Sequence, residues 1–84
     1  MDKISSEDAI RYALGLYDGT GEQLSKALDR SRGFISSYMA TGRTPSIALY
    51  ARILGRSGHR LAVIDDGGEP IATIEPPEHQ EPGH

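Results

Sequence analysis

The stretch that decides the fold is Thr20–Met39, TGEQLSKALDRSRGFISSYM. Thr20 and Gln23 stand at the capping-box spacing, in which a hydroxyl accepts from the third amide while the Gln side chain reaches back. A short helix is therefore expected to open here, with Leu24, Ala27 and Leu28 inward. Asp29-Arg30-Ser31 breaks the pattern with residues that favour turns, and Ser31 is expected to cap a following helix that carries Phe34, Ile35, Tyr38 and Met39. Thr41-Gly42 stops it. Two short helices joined in this way need a small residue where the second crosses the first, and Ser25 supplies it. Ile35 and Tyr38, three apart, supply the inner side of the second helix. With that side buried, Arg32, Gly33, Ser36 and Ser37 are expected to point outward.

Upstream, Ser5 and Ser6 offer N-caps for a helix whose Ile10, Ala13, Leu14 and Tyr17 fall at i, i+3, i+4 and i+7, ended by Asp18-Gly19. Downstream, Pro45 or Ser46 begins a helix with Ile47, Tyr50, Ala51 and Leu54 at the same spacing, closed by Gly55 and Gly58. The period then shortens. Leu61-Ala62-Val63-Ile64 and Ile71-Ala72-Thr73-Ile74 flank Asp65-Asp66-Gly67-Gly68, the signature of a β-hairpin, with Pro70 suited to an edge or to the strand's start. If Gly67-Gly68 forms the turn, Leu61, Val63, Ala72 and Ile74 share one face, and Ala62, Ile64, Ile71 and Thr73 share the other. The expected organisation is one mostly α domain over residues 1–75, four helices and a C-terminal hairpin at about 60–75, then a disordered acidic tail over 76–84.

The chain has 84 residues and a net charge of -3. A domain this small buries only about 60% of its unfolded surface, so a partner or a dimer would help its stability. The charge is unevenly placed. Between Arg30 and Ile64 there is no Asp or Glu, yet Arg30, Arg32, Arg43, Arg52, Arg56 and Arg60 occur; beyond Arg60 there are acids and no Lys or Arg. A basic middle joined to an acidic end points to an anionic partner for the middle. Cysteine is absent, which removes disulfides and thiolate chemistry and suits a reducing compartment. No run approaches the roughly 18 apolar residues of a membrane span, and the start lacks the layout of a signal peptide. A cytoplasmic protein is expected.

The outward residues suit the edges of base pairs. Arg32, near a helix N-terminus, can fork onto the O6 and N7 acceptors of guanine; Ser36 and Ser37 can donate or accept, and Gly33 allows close approach. Thr20, Gln23 and Ser31 mark helix N-termini whose amides favour phosphate, and Arg43 and Thr44 follow the third helix, where they could clamp a strand. Double-stranded DNA is the expected partner. A protein-interaction module, or an antitoxin-like partner using the acidic hairpin and tail, is the alternative.

From about Ile10 to Leu54 the chain resembles the Cro/C1-type, or XRE-like, helix-turn-helix regulators, which include many phage and bacterial repressors. The likeness rests on Leu24-Ser25-Lys26-Ala27-Leu28, Ser31-Arg32, Ile35-Ser36-Ser37-Tyr38, and Arg43-Thr44-Pro45-Ser46 followed by Leu49 and Leu54. It implies a lambda-repressor-like domain with the third helix in the major groove, a phosphate contact before Pro45, and a dimer on a two-fold site. Gly21 stands where the family usually has Gln, and Met39-Ala40-Thr41-Gly42 where it often has an acid and then Gly. Phe34 occupies a position commonly small and polar in that family; it either packs beside the turn or meets a thymine methyl group.

An isolated hairpin is marginal in water, and both faces of this one are apolar. One face is expected on the helices and the other, or a free edge, against a second subunit, so that Leu61, Val63, Ile64, Ile71 and Ile74 form the candidate dimer surface. No catalytic constellation is read: His59, His79 and His84 are too scattered for a metal motif, and Gly19-Thr20-Gly21 lacks both the preceding strand and the third glycine of a dinucleotide fingerprint. Neither a cofactor nor a small-molecule ligand is expected.

Overall fold

The computed structural model of the chain describes residues 3–76. After a single 3-10 turn, Ser6–Asp8, come α1 (Ala9–Leu16), α2 (Gly21–Ala27), α3 (Phe34–Thr41) and α4 (Ile47–Arg56), followed by β1 (Leu61–Ile64) and β2 (Pro70–Ile74). The fold is mostly α, with a two-stranded antiparallel hairpin at its end. The expected tail falls outside the described residues from position 77 onward.

Capping explains most of the boundaries. The Thr20 hydroxyl accepts from the Gln23 amide at 3.1 Å while the Thr20 amide donates to Gln23 Oε1 at 2.8 Å, so the expected capping box opens α2. At its other end Asp29 takes φ 61, in the left-handed region. This lets the Arg30 amide reach the Ser25 carbonyl at 3.0 Å and the Asp29 amide reach the Lys26 carbonyl at 2.9 Å, closing α2 in a Schellman motif on a residue other than glycine. For α4, the Ser46 hydroxyl accepts from the Leu49 amide at 3.1 Å. The helix runs through Gly55, which does not close it; Gly58 at φ 77 does, with the His59 amide on the Leu54 carbonyl at 2.8 Å.

Two expected caps are corrected. Ser5 makes no cap bond, and its hydroxyl donates to the Asp8 carboxylate at 3.2 Å instead. Ser31 does not cap α3 through its side chain: α3 begins after Gly33, and the Ser31 carbonyl accepts from the Phe34 amide at 3.0 Å in a turn ahead of the helix.

The core is Ile10 and Ala13 of α1, Leu24 and Leu28 in and just after α2, Ile35 of α3, and Ile53 and Leu54 of α4, with Leu14, Tyr17, Phe34, Tyr38 and Leu61 packed around it. Each fully buried Leu or Ile contributes about 1.5 to 3 kcal/mol of hydrophobic free energy. The inward face expected for α4 is partly wrong, because Ile47 is 64% exposed whereas Ile53 is fully buried. The cause lies in the neighbours. α1, α2 and β1 all touch α4, so Ala51, Arg52, Ile53 and Leu54 are buried in succession and a single-face pattern no longer applies.

In the hairpin Leu61 pairs with Ile74, Ala62 with Thr73, Val63 with Ala72 and Ile64 with Pro70. The register shifts between Val63 and Ile64, leaving Ile71 as the extra residue of a β-bulge. The turn is a three-residue loop. The Asp65 carbonyl accepts from Gly68, the Asp65 amide donates to the Glu69 carbonyl, both at 2.9 Å, and Gly68 alone takes positive φ, at 87. Asp65 Oδ1 also accepts from the amides of Gly67 and Glu69, each at 2.9 Å.

Candidate nucleic-acid interface

The site is built on the crossing of α2 and α3. Ser25 is fully buried there, and its hydroxyl donates to the Gly21 carbonyl at 2.8 Å and accepts from the Ile35 amide at 3.0 Å. Both hydrogen-bonding roles of the hydroxyl are filled, and one of the orphan amides of α3 is satisfied by a side chain of α2. The bond fixes α3 across α2 at the point where Leu24, Leu28 and Ile35 meet. The outer side of α3 is thereby left to solvent.

Of the expected base-contacting residues, Ser36 and Ser37 are exposed on α3. Arg32 and Gly33 are exposed as well, but they lie in the turn before α3 and not on the helix. Gly33 has φ -93, which any residue adopts, and a Cβ added there meets no heavy atom within 4 Å. Its side faces open space, so packing does not demand glycine.

The expected phosphate contacts divide. Thr20, Gln23, Ser31, Arg43 and Thr44 are all exposed. Thr20 and Gln23 are engaged with one another in the capping box, and the amides of Phe34 and Ile35 are taken by the Ser31 carbonyl and the Ser25 hydroxyl. The free N-terminal amides expected at α3 are thus largely satisfied within the chain, while Arg30, Arg32 and Arg43 stand exposed nearby. Phe34 packs against the core, as one of its two expected roles required, and meets Tyr38 edge to face with ring centroids 5.1 Å apart. The Arg30 guanidinium lies 5.0 Å from the Phe34 centroid, and that of Arg43 lies 4.3 Å from the Tyr38 centroid. Cation–π contact holds these exposed arginines without neutralising their charge. Arg30, counted in the basic middle of the sequence but not among the expected contacts, recurs with Phe34 and Tyr38 at intervals of four.

Arg52, counted in the basic middle of the sequence, is not part of this surface. It is buried, and its guanidinium points a long hydrogen bond of 3.5 Å at the Leu28 carbonyl, beyond the end of α2. A cation there complements the helix dipole and the open carbonyls. Arg60, at the entry to β1, pairs with Glu75 at 3.3 Å.

The candidate dimer residues sit differently from one another. Leu61 packs on the core and Ile74 is half-buried, whereas Val63, Ile64 and Ile71 are 43%, 42% and 65% exposed. Among the described residues no helix is long and apolar enough to cross a membrane. Comparison with protein-family models, curated proteins and solved structures returned no match to the chain.

Proposed function

We propose that the chain is a cytoplasmic, sequence-specific DNA-binding regulator, a repressor of the Cro/C1 type, in which α2 and α3 form a helix-turn-helix and α3 lies in the major groove. The observation that carries this reading is the Ser25 bridge. It locks α3 across α2 with Ser36 and Ser37 outward, beside a turn that presents Arg32 and Gly33. Arg30 and Arg43, held on the Phe34–Tyr38 pair, supply charge before and after α3. In this reading Arg32, Gly33, Ser36 and Ser37 meet base edges, while Thr20, Gln23, Ser31, Arg43 and Thr44 meet phosphate. The activity is binding without catalysis. The protein acts as a homodimer joined through the hairpin, with recognition helices about 34 Å apart to match one turn of DNA.

A salt series on duplex DNA tests the reading. A protein that contacts several phosphates loses orders of magnitude in affinity between about 50 and 200 mM salt. Failure to bind any duplex at low salt overturns it.

A further inference from the structure

Arg30 and Arg43 meet one aromatic pair from the two ends of α3, and the backbone brings both there in the same way. Each directly follows a left-handed residue that closes a helix: Asp29, φ 61, after α2, and Gly42, φ 66, after α3. The Arg30 amide turns back onto the Ser25 carbonyl and the Gly42 amide onto the Tyr38 carbonyl, both at 3.0 Å. A left-handed residue of this kind ends a helix and redirects the chain. Arg43 is thereby returned over Tyr38 at 4.3 Å, and Arg30 is set over Phe34 at 5.0 Å.

The rings they meet are anchored. Phe34 and Tyr38, one turn apart on α3, are both half-buried against the core and meet edge to face with centroids 5.1 Å apart. Both guanidinia therefore rest on a single fixed wedge. Both arginines are exposed, and among the described residues neither pairs with a carboxylate, in contrast to Arg60 on Glu75. A salt bridge would orient a guanidinium and cancel its charge. Attraction to a ring face orients it and leaves the charge for another anion.

We infer that Phe34 and Tyr38 are positioning residues that hold Arg30 and Arg43 as a two-armed clamp on the DNA backbone, and that Arg30 is a phosphate contact in its own right. Arg43 already stands among the phosphate contacts of the proposed interface; Arg30, Phe34 and Tyr38 do not. A long side chain gives up rotamer freedom when a phosphate immobilises it, and a ring that holds it beforehand lowers that cost. The aromatic pair thus raises affinity for every sequence alike, acting only through the arginines. This rests on the DNA reading of the preceding section and adds the grip ahead of α3 and the groups that set both arms.

The test titrates the full-length parent and its variants with a selected and an unrelated duplex across a salt series. Each phosphate contact contributes about 1 to the slope of log affinity against log salt concentration. Arg30→Ala is expected to lower that slope by about 1 on both duplexes. Tyr38→Leu keeps every charge and removes a ring; it is expected to weaken both duplexes about two- to fivefold with the slope kept, while Tyr38→Phe, which retains the ring face, binds like the parent. In the Arg43→Ala background the same Tyr38→Leu change is expected to cost nothing further, because the ring has no arginine left to hold, whereas a packing defect would persist there. An unchanged slope for Arg30→Ala overturns the new phosphate contact. Equal weakening by Tyr38→Leu with and without Arg43 overturns the positioning role. The Arg30→Ala arm alters only an exposed side chain, so it stands even where loss of the Tyr38 ring unfolds the chain. A parent chain that binds no duplex at low salt removes the DNA reading itself, a failure seen before any variant is compared.

Discussion

The Ser25 hydroxyl and the Ile35 amide, ten positions apart in the chain, meet at 3.0 Å inside the core. Replacing Ser25 by Ala leaves the Ile35 N–H buried without a partner, at a cost of about 1 to 3 kcal/mol. Urea unfolding of Ser25→Ala should show a loss in that range. A change under about 0.5 kcal/mol would mean that packing alone fixes the crossing of α2 and α3.

Gly33 separates stability from binding. Open space surrounds its Cβ position and its φ is ordinary, so Gly33→Ala should change stability by less than about 1 kcal/mol. If the turn lies against DNA, the added methyl group should weaken binding. Thermal unfolding together with a duplex titration checks both statements, and unchanged affinity would take Gly33 out of the interface.

Much of this architecture was legible because it depends on local chemistry. Thr20 and Gln23 declare the start of α2, Gly42 the end of α3, and Asp65-Asp66-Gly67-Gly68 the hairpin. Ser25 was recognised for its small size, but its hydroxyl's partner lies in another helix and has no local signal. The same holds for Arg52, whose burial depends on the end of α2 reaching α4. Ile47, expected inward, is exposed, and Ile53, which the i, i+3, i+4, i+7 spacing left out, is fully buried, because α1, α2 and β1 all pack on α4. Neither Ser31 nor Ile71 behaved as its neighbours in sequence suggest: a turn before α3 and a bulge in β2 each displaced the simple pattern by a residue or two.

Tyr50 ties α4 to α1, its hydroxyl donating to the Ala9 carbonyl at 3.0 Å. Burial, with a smaller contribution from the nearby Tyr12, raises its pKa above the ordinary value of 10.0. Because the folded value is the higher one, this stabilisation is complete below about pH 10, where the unfolded chain's phenol stays protonated, and is lost as pH rises through the folded value. Tyr50→Phe should cost about 0.5 to 1.5 kcal/mol at neutral pH and lose less stability than the parent above pH 10. Denaturant melts from pH 8 to 11 test this, and parallel curves for the two proteins would refute it.

The central claim, that the turn before α3 reads bases while the residues after it grip phosphate, is tested most directly by comparing Arg32→Ala with Arg43→Ala. The comparison needs a duplex selected from a random pool and an unrelated duplex. Arg32→Ala should weaken binding to the selected duplex by about 1 to 3 kcal/mol and relax selectivity at one base pair. Arg43→Ala should weaken both duplexes alike and lower the salt dependence. Equal losses on both duplexes from both variants would contradict a base-reading role for Arg32.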